Sequence, residues 1–219
     1  MYLIRGQHNL DLFNSRFPRV RLCGTIGNFD GLHLGHQAIL NKVKKNAQQN
    51  DAKTIVFFTE PHASEYFAKV RDQNIMPPPR ICPWREKLKL LKQNKIDFAF
   101  FLKFNDSLRT MPPEDFISEI LESINLVSFT IGDDFRFGEN RKGDSNLLKS
   151  WGDKNNVIVE NTETILHKGE RVSSTRIRNE LMNNNFDLAE ELLGRPYTYS
   201  GKVVHGQHLG RTIDIPTAN

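Results

Sequence analysis

The stretch Gly24-Thr-Ile-Gly-Asn-Phe-Asp-Gly-Leu-His-Leu-Gly-His-Gln37 decides the fold, because it joins a strand to a helix through a glycine-rich turn. Apolar residues over Val20–Ile26 predict the strand, and the helix is predicted over Gly35–Gln49. Four glycines allow the backbone to turn tightly and to approach a ligand closely. The N–H groups at the start of the helix, and the positive end of its dipole, favour an anion. We therefore expect this stretch to bind a nucleotide phosphate.

Strands and helices alternate along the rest of the chain. Further strands are predicted at Thr54–Phe58, Asp97–Leu102, Leu126–Ile131 and Val157–Val159, and further helices from Pro83, from Pro112–Pro113 and over Asp187–Leu193. This alternation is typical of α/β proteins, so we predict a Rossmann-like, doubly wound parallel sheet with helices on both faces. Ligands bind at the carboxyl ends of the strands in such sheets. Two predicted loops, Phe67–Arg80 and Asp133–Ser145, are therefore expected to line a site.

Composition and charge narrow the class of protein. The net charge of +4 suits a polyanionic small ligand as well as nucleic acid, and the sequence has no block of five or more Lys and Arg residues. Cys23 and Cys82 are isolated, which predicts neither a disulfide nor a metal site and favours a reducing compartment. The N-terminus lacks a signal-peptide pattern, and no stretch approaches a membrane span. We predict a cytoplasmic protein with small-molecule partners, and with neither a nucleic-acid nor a membrane partner.

The tetrapeptide His33-Leu-Gly-His36 resembles the HxGH signature of the nucleotidyltransferase superfamily, whose members transfer a nucleotidyl group and release pyrophosphate. The longer string from Gly27 to His36 is similar to that of bacterial bifunctional riboflavin kinase/FAD synthetases. It is neither a Walker A motif nor GxGxxG, which argues against P-loop kinases and dehydrogenases. The resemblance implies an enzyme that transfers AMP from ATP to FMN, with FAD and pyrophosphate as products and Mg²⁺ accompanying ATP.

Four later segments resemble the same family in the same order, namely Phe58–His62, Arg80–Leu91, Ile131–Asp144 and Val172–Arg178. The first departs from the family pattern at Thr59 and Ala63, where Phe and Pro are usual. In the second, we interpret Glu86 and Lys87 as solvated helix charges. In the fourth, Ser173 or Ser174 is expected to cap a helix and to form a second anion site.

The resemblance implies three sets of site residues in the predicted transferase. The catalytic set is His33, His36 and Arg176, which stabilise charge on the α-phosphate electrostatically and do not transfer a proton. The ATP-binding set is Gly27, Asn28, Phe29, Asp30, Gly31, Gly35, Ser173, Ser174, Thr175 and Arg178. The flavin-binding set is Asp134, Phe135, Arg136, Phe137 and Arg141, in which Phe135 or Phe137 stacks on the isoalloxazine and Arg136 or Arg141 holds a phosphate. No metal ligand is assigned directly.

The C-terminal stretch resembles the start of the family's riboflavin kinase module, from Gly194-Arg-Pro-Tyr197 onward. Thr217 and Asn219 match its phosphate and metal segment. We therefore predict two domains, an FMN adenylyltransferase over 1–184 and, over 185–219, a linker helix with an incomplete β-barrel fragment. Because most of the barrel is missing, we expect no phosphorylation of riboflavin, and we expect residues past Leu193 to be poorly packed or held by contacts elsewhere.

Three alternatives remain open at the level of sequence. One is another HxGH nucleotidyltransferase with a different phosphorylated acceptor, against which the Phe- and Arg-rich loop Asp133–Asp144 and the kinase-like tail both argue. Another is a flavin- or nucleotide-binding module without catalysis, against which the complete set of His33, His36 and Arg176 argues. The third is a basic nucleic-acid binder, whose retention on DNA would depend on salt.

Overall fold

The computed structural model describes residues 1–71, 76–201 and 204, and a parallel β-sheet lies at its centre. Within these residues, six strands pair in the order β1-β4-β3-β2-β5-β6, and each neighbouring pair is parallel. The strands are β1 (Tyr2–Arg5), β2 (Leu22–Ile26), β3 (Lys53–Glu60), β4 (Phe98–Lys103), β5 (Leu126–Gly132) and β6 (Ile158–Thr162). A separate antiparallel hairpin contains β7 (Leu166–His167) and β8 (Glu170–Arg171).

Helices cover both faces of this sheet. The α-helices of the described residues are α1 (Leu10–Arg16), α2 (Leu34–Gln49), α3 (Ala63–Arg71), α4 (Trp84–Gln93), α5 (Asp106–Thr110), α6 (Pro113–Phe116), α7 (Ser145–Asn155), α8 (Ser174–Met182) and α9 (Phe186–Leu193). Side chains alternate between the faces of a strand, and in β3 Ile55 and Phe57 pack in one core cluster while Val56 and Phe58 pack in another. The first cluster includes α1, α6 and α7, and the second includes α2 and α4. The predicted Rossmann-like α/β fold is confirmed.

The structure corrects one local prediction and adds elements that the sequence did not indicate. The loop predicted over Phe67–Arg80 begins inside α3, because Ala63, Glu65 and Ala68 are good helix formers. The short edge strand β1 and the hairpin β7–β8 were not predicted. The hairpin forms because Lys168 and Gly169 both adopt positive φ, at 53° and 82°, which is the geometry of a tight two-residue turn.

The order of the strands places a crevice at the carboxyl end of β2. The chain proceeds from β2 to β3 on one side and later returns to β5 on the other side. In open α/β sheets such a reversal leaves the loops on either side of it separated, and ligands bind in the gap. The loops that follow β2, β3 and β5 therefore border this gap, at the carboxyl ends of the strands.

The C-terminal helix packs on the same body as the sheet. Ala189, Leu192 and Leu193 of α9 are fully buried, and the two leucines cluster with Ile81 and Val172. Residues 195–201 and 204, the described part of the segment that resembles the kinase module, contain no strand. Thr217, Asn219 and most of the predicted barrel fragment lie outside the described residues, and the domain boundary at 184/185 stays a prediction.

Candidate active site

The turn between β2 and α2 is a compact cradle with unusual backbone angles. Phe29, Gly31 and Leu32 have positive φ, at 49°, 77° and 44°. A Cβ on Gly31 would lie 2.8 Å from Cγ2 of Ile81, so both the angle and the space require glycine there. Such angles in non-glycine residues persist only where the surrounding structure holds them, and they cluster at functional sites.

The two histidines of the HxGH motif form one unit at the start of α2. His33 is the N-cap, and its Nδ1 accepts a hydrogen bond from the backbone N–H of His36 at 3.3 Å. The accepting Nδ1 carries no proton, so the proton of neutral His33 is on Nε2. The two rings stack with centroids 3.7 Å apart. Both predicted catalytic histidines are therefore held together in a fixed orientation.

Burial keeps both imidazoles neutral. Desolvation lowers the pKa of His33 to about 4, against a weaker opposing effect of the Asp30 carboxylate. Burial also holds the pKa of His36 well below its usual range, with further lowering from His33 and Lys87. The Nδ1 of His36 is buried and has no hydrogen-bond partner among the described residues. At neutral pH this pair offers N–H donors to phosphate oxygens, and it adds no positive charge.

A buried ion pair ties the cradle to helix α8. Nη2 of Arg178 donates to the Asp30 carboxylate at 2.7 Å, and that carboxylate also accepts from the backbone N–H groups of Ile81 and Cys82. Nε of Arg178 donates to the carbonyl of Pro79 at 2.7 Å. The side chains of Asp30 and Arg178, both predicted to contact ATP, are thus occupied by protein groups. Their geometry favours a role in positioning the two anion sites.

The N-terminus of α8 forms the second predicted anion site. Oγ of Ser173 caps the helix by accepting from the backbone N–H of Arg176 at 3.2 Å, and Thr175 is exposed in the first turn. Oγ of Ser174 donates to the carbonyl of Asp30 at 3.0 Å. This bond places the beginning of α8 directly beside the cradle, so the two segments that the sequence separates by more than a hundred residues meet here.

Arg176 is held by the hairpin β7–β8. Its Nη1 donates to the carbonyls of His167 and Glu170 at 3.0 and 3.1 Å, and its Nε lies 3.2 Å from the Glu170 carboxylate. The side chain is 13% exposed. These contacts indicate that Arg176 positions the hairpin, and its direct catalytic role stays a prediction.

A cavity of about 650 Å³ opens at the carboxyl ends of β2, β3, β4 and β5. All five predicted flavin-binding residues line it, as do Gly27 and Asn28 of the cradle. The rings of Phe135 and Phe137 stack with centroids 5.7 Å apart. Phe137 is buried against Phe116, which leaves Phe135 the more accessible of the two. The volume and the mixture of aromatic and cationic side chains suit a planar ligand with a charged group.

Other residues also line this cavity, and Phe67, Gly138 and Asn140 among them lie in the two loops that were expected to line a site. These other residues are Ile26, Thr59, Ala63, Phe67, Leu102, Phe104, Leu108, Arg109, Phe116, Gly138 and Asn140. No motif marks most of them, although the rule for strand ends would have found Phe104, which directly follows β4. Arg171 was also missed, and it bridges the hairpin to the flavin-side loop through Asp133 at 3.3 Å and Asp134 at 2.9 Å.

The interpretation of Glu86 and Lys87 as solvated charges was wrong. Both are buried, and Lys87 is fully inaccessible. Nζ of Lys87 lies 3.1 Å from Nε2 of His62 and 5.0 Å from the ring centroid of Phe58, and no ion pair joins it to a carboxylate among the described residues. Burial lowers the pKa of Lys87 and lowers that of His62 to about 4. Helix α4 turns this face toward the cradle because its apolar residues pack on β3.

Comparison with known proteins points to one family. The FAD synthetase family model matches residues 20–176, and the riboflavin kinase model matches residues 193–219. Proteins named bifunctional riboflavin kinase/FMN adenylyltransferase are 40% identical, both in Buchnera aphidicola (subsp. Schizaphis graminum) over 221 residues and in Escherichia coli K12 over 220 residues. The alignments cover all of this chain and 68% and 67% of those relatives.

A solved structure has the same overall fold. The crystal structure described as a macrolide-efflux protein from Streptococcus pneumoniae superposes with a TM-score of 0.80 at 25% identity, covering 100% of this chain and 68% of that one. The predicted resemblance, which began from the HxGH string, is confirmed by the match over residues 20–176. This chain belongs to the FAD synthetase family.

Proposed function

We propose that this chain is an FMN adenylyltransferase, which transfers AMP from MgATP to FMN and releases FAD and pyrophosphate. One observation carries the proposal. The anion cradle and the aromatic cavity share Gly27 and Asn28, so a nucleotide phosphate and the phosphate of a ring-bearing ligand can meet between them. The cradle alone or the cavity alone would suit many ligands. Because the two adjoin at Gly27 and Asn28, together they suit a reaction that joins two phosphates.

The chemistry requires little from the protein beyond position and charge. An oxygen of the FMN phosphate, already ionised, attacks the α-phosphorus of ATP, and the bond from that phosphorus to the bridging oxygen of pyrophosphate breaks. Because the nucleophile is an anion, no general base is needed, and alignment of the two phosphates supplies most of the acceleration. The neutral imidazoles of His33 and His36 donate to oxygens of the α-phosphate as charge builds there. The N-terminus of α8 holds the departing pyrophosphate.

Magnesium enters this scheme with the nucleotide. Phosphate-bound Mg²⁺ generally keeps several waters and uses few protein ligands. No group of three or more His, Cys, Asp or Glu side chains in the described ranges forms a candidate metal site. In this proposal the ion is part of the substrate, MgATP.

The flavin occupies the cavity of about 650 Å³ in this proposal. Phe135 stacks on the isoalloxazine, while Arg136 and Arg141 attract the phosphate. The match to riboflavin kinase covers residues 193–219, and the expectation that this chain does not phosphorylate riboflavin stays a prediction. The described helices include none that is long and apolar enough to cross a membrane. Both cysteines are buried and unpaired, which suits the reducing cytoplasm that we propose for it.

One assay tests the proposal directly. The protein is incubated with FMN, ATP and MgCl₂, and FAD is measured by chromatography while pyrophosphate is measured by a coupled assay. We expect FAD and pyrophosphate in equal amounts, and CTP in place of ATP reports the choice of nucleotide. Riboflavin in place of FMN tests the kinase prediction. Pyrophosphate released only with a different phosphorylated acceptor would instead establish another HxGH transferase.

A further inference from the structure

Three consecutive carbonyl oxygens in the cradle turn accept hydrogen bonds from side chains of three separate elements. The pairs are Asp30 O with Ser174 Oγ at 3.0 Å, Gly31 O with Arg195 Nη2 at 2.7 Å, and Leu32 O with Gln37 Nε2 at 3.0 Å. A peptide unit is planar, so fixing its carbonyl also fixes the direction of its N–H group. This carbonyl clamp therefore sets the direction in which the N–H groups of the cradle point.

Arg195 is the most distant contributor to the clamp, and its position is well defined. Nε2 of Gln37 donates to the carbonyl of Leu193 at 2.8 Å, in addition to its bond within the cradle. Gly194 has φ of 66° and lies so close to Leu34 that a Cβ would be 2.7 Å from Cδ2 of that side chain. The chain therefore leaves α9 in one direction, which brings the guanidinium of Arg195 onto Gly31.

The guanidinium of Arg195 also differs from those of Arg178 and Arg171 in its ion pairing. Arg178 is paired with Asp30, and Arg171 is paired with Asp133 and Asp134. Among the residues that the structure describes, no carboxylate forms an ion pair with Arg195. A partly buried cation without a paired anion raises the local potential and favours a polyanion nearby. The polyanion that our proposed function brings to this turn is the triphosphate.

We propose that Arg195 is a positioning residue for adenylyl transfer, which holds the cradle turn in its ATP-binding form from the segment matched by the riboflavin kinase model. This inference rests on the proposed function. It places the boundary of the working adenylyltransferase beyond residue 176, where the FAD synthetase match ends, and inside the match that begins at residue 193. In this proposal, residues at the start of the riboflavin kinase match thus complete the adenylyltransferase site.

The test uses three variants of the full chain. Arg195→Met removes the hydrogen bond and the charge, Arg195→Lys keeps the charge and one donor, and Arg21→Met removes an exposed charge just before β2, at the opposite edge of the sheet. We expect Arg195→Met to raise the KM for ATP about tenfold or more, the usual effect of losing a charged hydrogen bond. The KM for FMN should change by less than about twofold, because Arg195 does not line the flavin cavity. Arg195→Lys should recover part of the loss.

Two further measurements distinguish the possible failures. Thermal melting shows whether a variant has lost folded protein. Such a loss lowers the apparent kcat and leaves both KM values unchanged, whereas a displaced cradle turn raises the KM for ATP. Calorimetric titration with MgATP, without flavin, measures the affinity of the cradle for the nucleotide even if no FAD forms. If wild type makes no FAD, the proposed function fails, and weaker MgATP binding by Arg195→Met would still support the role of Arg195. Kinetics and MgATP binding of Arg195→Met equal to those of Arg21→Met would overturn the inference.

Discussion

At the scale of single residues, the stacked imidazoles of His33 and His36 show what burial adds to a motif. The spacing alone allowed a neutral or a protonated ring. The N-cap bond of His33 and the burial of both rings leave the neutral form, with the proton of His33 on Nε2. Their contribution to catalysis is therefore hydrogen bonding, which depends on geometry more than on charge.

The first prediction concerns His36. We expect His36→Ala to lower kcat for FAD formation by about 100-fold or more, as removal of one preorganised donor does in other enzymes. FMN should still bind, because the imidazole does not line the flavin cavity. Flavin fluorescence measures binding, and chromatography measures FAD. His8→Ala, at an exposed position, is the control. Normal turnover by His36→Ala would remove the histidine from the mechanism.

The second prediction concerns Lys87, the buried cation without a carboxylate partner. Lys87→Met should leave the protein as stable or more stable, because a buried charge without an ion pair is costly. It should also raise the KM for ATP several-fold, because the charge lies near enough to His36 to lower its pKa. Thermal melting and steady-state kinetics measure the two effects. Lys89→Met, on the exposed face of α4, should change neither. A less stable variant with unchanged kinetics would make Lys87 purely structural.

At the scale of elements, the connection of α8 to the cradle depends on the Arg178–Asp30 pair. Asp30 is 2% exposed and Arg178 is 18% exposed, so this pair is far less solvated than a surface pair. Removing one member leaves the other buried and uncompensated, which typically costs about 3–5 kcal/mol. The Arg178–Asp30 pair is therefore expected to stabilise the position of α8 more strongly than an exposed ion pair would.

A double-mutant cycle tests this connection. We expect Arg178→Met and Asp30→Asn each to lower the unfolding free energy substantially, and the double variant to lose less than their sum by about 1 kcal/mol or more. Urea denaturation measures all three. The exposed pair Lys142–Glu139 provides the comparison, with a coupling of about 0–1 kcal/mol expected. Additive losses at Arg178 and Asp30 would show that the pair does not couple the two elements.

Elements with strong local signals were predictable from the sequence, and weaker ones were not. β3 and β4 appear as apolar runs because both of their faces are buried in the sheet, and α2 follows a clear turn. β7 and β8 contain two residues each, so they offer no periodicity. Lys87 was misjudged for a related reason, since a charged residue on a helix gives no sign that tertiary packing will bury it.

At the scale of the whole molecule, the flavin-side cavity shows why the rest of the site could not be predicted. The loop Asp133–Asp144 was identified from a local motif, and residues of this loop line the cavity. Phe104 and Arg109 belong to the same cavity but lie about thirty residues earlier, after β4. Their proximity follows from a strand order that differs from the order of the sequence, and a local pattern does not contain that order.

The fourth prediction is a dependence of global stability on pH. The folded-state pKa of His33 and of His62 is about 4, and that of His36 is also low, against 6.5 in the unfolded chain. Between pH 6.5 and about 4 the unfolded state therefore binds more protons, so the unfolding free energy falls as pH falls. Each histidine contributes up to about 1.4 kcal/mol per pH unit in that window.

Urea denaturation between pH 6.5 and 5 measures this dependence before most carboxylates titrate. His62→Gln should flatten the slope, because one group that binds protons only in the unfolded state is removed. His8→Gln, at an exposed position, is the control. A wild-type stability that stays constant over this range would contradict the neutral, buried state of the histidines.

The position of β2 at the centre of the sheet also has a consequence for how the protein is made. Leu22 of β2 pairs with Leu126 of β5, about a hundred residues further along the chain. At a synthesis rate of about 5–20 residues per second, roughly 5–20 s pass between the appearance of these two strands. During that interval one edge of β2, one of the two central strands, has no partner, and such an edge can pair with other chains. The free edge of β2 is therefore open to such pairing until β5, which ends at Gly132, has left the ribosome.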